Sequence, residues 1–246
     1  MLPVLEVKNL TKSFGKDQAL YDVNLQVMPG STVVITGPSG CGKSTLLGCI
    51  VKLVTPDSGR VIVTGEDITD LPYSRLLAVR RRIGFVFQRS NLVQRLTAFE
   101  NVALPLLAAG ANYLDIKPKI LTALARVGLK GDTIHRRPYE LSGGECQRIA
   151  IARALAPKPD LMLWDEPTAS LDPILVQEVL DVMENLVKAG EAGMVIVTHE
   201  MRFALRASDR LILMEQGKIV EQGDPSEIFN NPRSELGKKY SSLLGL

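Results

Sequence analysis

The chain has 246 residues, 46% of them hydrophobic, and its 29 Lys and Arg against 27 Asp and Glu leave a net charge of +2. That size supports one sizeable core, alone or with a smaller lobe, without disulfides or metals to hold it. The balanced charge excludes the broad basic field of a dedicated nucleic-acid binder, so any anion site must be local.

The N-terminal stretch MLPVLEVKNLTK places Glu6 where a signal peptide needs an unbroken apolar run. No uncharged apolar run reaches the roughly 18 residues of a membrane span. Cys41, Cys49 and Cys146 show no CxxC pair or metal-ligand spacing and read as reduced thiols. Together these features predict a cytoplasmic chain. Leu5–Val7 and Val23–Val27 predict an antiparallel side sheet. The β-branched runs Ser31–Thr36, Arg60–Thr64, Ile83–Phe87, Leu161–Trp164 and Met194–Thr198 alternate with helical patterns, which predicts an α/β fold around a mainly parallel sheet. Arg80–Arg82 reads as a solvated face, with acidic lipid headgroups or a partner as the alternative.

Between about Arg89 and Pro159 the strand signal disappears, and Ala98–Ala109, Lys117–Val127 and Gly143–Leu155 predict helices. The expected organisation is a single domain: residues 1–88 and 160–246 form the α/β core, and 89–159 form an inserted helical lobe. Towards the C-terminus, Leu211–Met214 and Lys218–Val220 flank a hairpin turn at Gln216–Gly217, and Asp224–Pro225 opens a short helix with a cap and a first-turn proline.

Residues 37–45, GPSGCGKST, follow the Val33–Thr36 strand and open a helix, the context a phosphate loop requires. Gly37, Gly40 and Gly42 let successive N–H groups point inward at phosphate oxygens, with Pro38, Ser39 and Cys41 as the intervening residues. Lys43 is expected to reach the β- and γ-phosphates of a nucleotide, Ser44 to ligate Mg2+, and Thr45 to complete the loop. Cys41 reads as a spacer, not a nucleophile. The apolar strand Leu161-Met-Leu-Trp-Asp165 ends in a carboxylate suited to the second side of the metal, and Glu166 beside it can polarise the attacking water. A solvated acidic pair is the plain alternative.

Leu141-Ser-Gly-Gly-Glu145 precedes a helix shortly before Asp165, and this combination resembles the ATP-binding cassette (ABC) transporter ATPases, from about Leu5 to Leu243. A kinase or small GTPase lacks this signature. The resemblance implies a phosphate-loop nucleotide-binding core that hydrolyses ATP, and it implies roles by position. Phe14 stacks on adenine. Gln88 touches the metal and the attacking water, and His199 contacts the γ-phosphate. Ser142, Gly143 and Gly144 grip ATP bound by the other subunit, and Asp172 communicates between the two shared sites. His135 matches no motif and reads as a surface residue. The implied partners are a second copy or a second ABC ATPase, membrane permease subunits and a periplasmic binding protein, with the chain peripheral on the cytoplasmic side of the inner membrane.

Two sub-family resemblances compete. Residues 165–173, Val197-Thr-His-Glu-Met-Arg-Phe-Ala204 and the 221–232 tail are similar to polar amino acid importers. Residues 83–88 and 95–107 are closer to lipoprotein-release and macrolide-export ATPases, and Glu145-Cys146 stands where importers commonly carry two glutamines. Import is the favoured expectation, and a soluble cofactor-assembly ATPase is a remote one. Leu96 and Phe99 are read as facing the membrane partner, with Phe99 alternatively in the core of the lobe.

Overall fold

The computed structural model describes residues 2–245. In chain order its strands are β1 (Leu5–Phe14), β2 (Asp17–Val27), β3 (Thr32–Thr36), β4 (Ser58–Val63), β5 (Glu66–Asp67), β6 (Ile83–Val86), β7 (Leu161–Asp165), β8 (Gly193–Val197), β9 (Arg210–Glu215) and β10 (Lys218–Gly223). The α-helices are α1 (Lys43–Ile50), α2 (Tyr73–Arg80), α3 (Ala98–Ala108), α4 (Tyr113–Arg126), α5 (Gly143–Leu155), α6 (Pro173–Ala189), α7 (Met201–Ala207), α8 (Pro225–Asn230) and α9 (Glu235–Leu244).

The main sheet runs β10-β9-β3-β8-β7-β6, parallel except for β10. Every residue of β3 and β8 is buried, the pattern of strands covered on both faces. Period-two alternation then divides the core. Val34, Met162, Trp164, Met194 and Ile196 face α3–α7, while Val33, Ile35, Leu163, Val195 and Val197 face α1 and the second sheet. That second sheet is antiparallel, in the order β2-β1-β4-β5.

The Arg60–Thr64 run therefore belongs to the side sheet and not to the parallel one, with Leu5 opposite Val63 and Val7 opposite Val61. Its burial alternates, Val61 and Val63 inside with Arg60 outside, as in a strand covered on one face only. Helix α4 starts four residues before the expected Lys117. Asn112 caps the helix by accepting the Leu114 amide, and Pro118 lies inside it. Phe99 is 8% exposed and packs in the core of the helical segment, its ring 6.2 Å from that of Tyr113, so it offers no free docking face.

The arginine run is anchored as well as solvated. Arg80 donates to the Val51 and Lys52 carbonyls just past α1, and Arg82 pairs with Asp160 at 2.7 Å. His135 is exposed, and the three cysteines are free thiols. Among the described residues no helix is long and apolar enough to cross a membrane.

Candidate functional site

The loop between β3 and α1 is shaped by two glycines that nothing else can replace. Gly37 has φ 156° and Gly42 φ 105°; a Cβ on the first would lie 2.0 Å from the Met214 carbonyl oxygen, and on the second 2.2 Å from that of Ala19. The loop is also tied from outside, because the Gly217 amide in the β9–β10 turn donates to the Cys41 carbonyl at 3.1 Å. Cys41 is buried under the loop, and burial pushes its thiol up, which suits the spacer reading. Pro38, Ser39 and Gly40 form the exposed crest. Gly42 starts α1 without a side-chain cap, so the first amides of the helix stay open to an anion.

Lys43 is 4% exposed, and its Nζ donates to the Gly37 and Pro38 carbonyls at 2.9 and 3.0 Å. The loop thus wraps its own cation, 3.6 Å from Glu166 Oε1. One residue on, Ser44 Oγ donates to Asp165 Oδ1 at 2.9 Å, which joins the two sides of the site across the top of the sheet; Thr45 beside it is half-buried. Burial pushes the Asp165 carboxyl up, partly offset by the Ser44 bond. This is a carboxylate short of positive charge.

Glu166 takes φ 45°, and its amide donates to the Val197 carbonyl, so the backbone turns sharply at the end of β7. The turn aims its carboxylate back across the site. Glu166 Oε1 lies 2.9 Å from His199 Nε2, which β8 delivers from the neighbouring strand end. The hard oxygens of Ser44 and Asp165 fit Mg2+ shared with phosphates. Among the described residues no group of three or more His, Cys, Asp or Glu is placed to hold a metal ion.

The structure therefore gathers Lys43, Ser44, Asp165, Glu166 and His199. Gln88 is exposed just past β6, and its carbonyl accepts from Ser170 Oγ at 3.1 Å. Phe14 is 52% exposed, with Lys12 Nζ 5.2 Å from its ring centroid; a core aromatic would be neither. Ser142 is exposed, and its hydrogen bonds stay within the start of α5: Ser142 Oγ accepts the Glu145 amide, and the Glu145 carboxylate accepts the Ser142 amide. Glu145 closes this capping box. Gly143 and Gly144 pack against Leu171 and Leu175, where a Cβ would come within 3.3 Å. Asp172 caps α6, accepting the Ile174 and Leu175 amides. Sequence reading did not single out Gln147 or Arg153, which bond to the Gln88 segment. The available signal was a glutamine on the otherwise apolar face of α5.

Residues 20–169 match the family model described as ABC transporter. The chain is 48% identical over 238 residues to the glutamine transport ATP-binding protein GlnQ of Escherichia coli (strain K12), covering 96% of this chain and 98% of that protein. It is 42% identical over 241 residues to the histidine/lysine/arginine/ornithine transport ATP-binding protein HisP of Salmonella typhimurium (strain LT2), covering 94% and 93%. Among solved structures, the dimeric post-hydrolysis state of the ATP-binding cassette MJ0796 bound to ADP and Pi superposes with TM-score 0.80 at 36% identity, covering 90% of this chain and 98% of that one.

Proposed function

This chain belongs to the ABC transporter family, and from that premise we propose that it is the ATP-hydrolysing subunit of an importer for polar amino acids. Two relatives named for amino acid transport, each aligned over more than nine-tenths of the chain, support this cargo class. The likeness to these amino acid transport proteins extends over nearly the whole chain and outweighs the resemblance of residues 83–88 and 95–107 to release and export ATPases.

The observation that carries the activity is the convergence of Lys43, Ser44, Asp165, Glu166 and His199 at the carboxyl ends of parallel strands, where open α/β sheets bind ligands. Lys43 exchanges the Gly37 and Pro38 carbonyls for charged phosphate oxygens, a stronger class of hydrogen bond. The open amides at the start of α1 hold the remaining oxygens, and Phe14 covers the base. Ser44, Asp165 and Gln88 would hold Mg2+, which when bound would offset phosphate charge. Glu166 accepts the proton of the attacking water, while His199 orients the carboxylate and turns its ring toward the γ-phosphate.

Ser142 and the amides of Gly143 and Gly144 serve the ATP of a second subunit, a copy of this chain or another ABC ATPase. Shared phosphate closes the pair, and hydrolysis reopens it. The helical lobe, residues 89–159, passes that movement to membrane permease subunits. The chain sits against them on the cytoplasmic side, and a periplasmic binding protein delivers the amino acid. The test is uptake of the labelled polar amino acids, glutamine, histidine and arginine among them, by cells that carry the chain or its Lys43→Ala variant. Loss of uptake of at least one supports the reading; unchanged uptake of all polar amino acids overturns it.

A further inference from the structure

Residues 87–91 follow β6 as irregular backbone, and side chains occupy four of their five carbonyl oxygens. Gln147, 1% exposed, donates Nε2 to the Phe87 carbonyl at 3.1 Å. Arg153 donates Nη2 to Ser90 and Nη1 to Asn91, both at 2.8 Å. Ser170 Oγ donates to Gln88 at 3.1 Å. Irregular backbone that is only partly exposed must find such partners, but here their sources are unequal. Three of the four bonds come from one helix, α5, whose first turn carries Ser142 and Gly143. The fourth comes from the loop that follows Glu166.

Arg153 is held for this purpose. Its guanidinium fork matches two nearby carbonyls, an arrangement a lysine cannot reproduce, and burial lowers its affinity for the proton without a carboxylate to compensate. We propose that Gln147 and Arg153 are positioning residues that clamp the Gln88 segment to α5, so that Gln88 follows the helical lobe instead of the sheet. The consequence rests on the roles given above to Gln88 and Ser142. One rigid helix presents Ser142 to the partner's ATP and sets Gln88 at this chain's own ATP, so docking at one composite site is felt at the other. Of the four bonds, the one from Ser170 must yield when the lobe turns.

The test uses purified full-length chain and Arg153→Lys, which keeps the charge and loses the fork, with Gln147→Met as a second variant of similar volume. Arg89 lies inside the clamped segment and is exposed, so trypsin reports its release. Loss of one hydrogen bond corresponds to about tenfold in an equilibrium. The expected result is kcat lowered about tenfold, KM for ATP within about twofold, cleavage after Arg89 faster by about tenfold, and a melting temperature within a few degrees of wild type. Wild-type kcat and wild-type cleavage would overturn the clamp. So would a parallel loss of kcat, ATP affinity and melting temperature, which marks a merely structural role. Gln88→Ala is the reference. If it hydrolyses ATP at the wild-type rate, the role given to Gln88 fails, and the cleavage at Arg89 still decides the clamp.

Discussion

Lys43 and His199 both approach the same oxygen of Glu166, Oε1. Under the proposed function Lys43 turns from it to phosphate when ATP binds. Glu166→Gln keeps the shape and removes the proton acceptor, so turnover should fall by about 10²-fold or more while ATP affinity stays close to wild type. Lys43→Ala should weaken ATP binding itself. Titration with a fluorescent ATP analogue beside a phosphate-release assay separates the two, and near wild-type hydrolysis by Glu166→Gln would remove the base assignment. Asp165 predicts an effect on stability. Burial raises its pKa in the folded chain, so the folded state holds the proton more tightly than the unfolded one, and the ionised carboxylate costs stability above the folded pKa. Below the unfolded pKa both states are protonated and the cost disappears. Nucleotide-free Asp165→Asn should therefore melt higher than wild type at pH 7, with the gap closing in acid, and should lose hydrolysis. Melting curves at the two pH values decide this; a lower melting temperature at pH 7 would refute it.

Helix ends make a second class of claim, because Asp172 and Ser142 each cap the helix that carries them. Removing a capping side chain costs about 1 kcal/mol. Asp172→Ala should lower the melting temperature of the isolated chain, whereas Asp172→Asn, a good cap, should not. If Asp172→Asn nevertheless slows hydrolysis, the carboxylate has work beyond the cap; if both variants hydrolyse ATP normally, the communication role falls. The caps also show what was legible beforehand. Ser142 and Glu145 sit at capping-box spacing, and α5 starts and stops where the sequence places it. The phosphate loop and the Asp165–Glu166 pair were equally legible, since their chemistry depends on neighbours in the chain. Contacts between distant segments were not. Nothing local tells Arg60–Thr64 that its partner is β1, and α9, with Leu236, Gly237 and Ser241 as its inward positions, reads as polar until the body it packs on is known. The two readings of Phe99 stayed open for the same reason: its spacing suits either face of α3, and only the packing of the lobe puts it inside.

At the scale of the molecule, the proposed function needs two chains to complete the site. Lys43, Glu166 and His199 meet at the strand ends, while Ser142 faces solvent at the start of α5 with its hydroxyl held by its own capping box. Under the proposed function a second chain brings its Ser142 to the phosphate that Lys43 holds, and that phosphate supplies the charge that joins the two surfaces. Glu166→Gln protein should therefore be monomeric or weakly associated alone and dimeric with ATP and Mg2+, because slowed hydrolysis preserves the bridge. Light scattering across a range of protein concentrations gives the mass directly. Adding Lys43→Ala should abolish the ATP-dependent dimer. Ser142→Arg, a bulky cation in place of the hydroxyl, should abolish it too while leaving nucleotide binding by the monomer intact, and that difference separates a shared site from a simple loss of affinity. The same mass with and without ATP at every concentration would count against the shared site, whatever the hydrolysis rate.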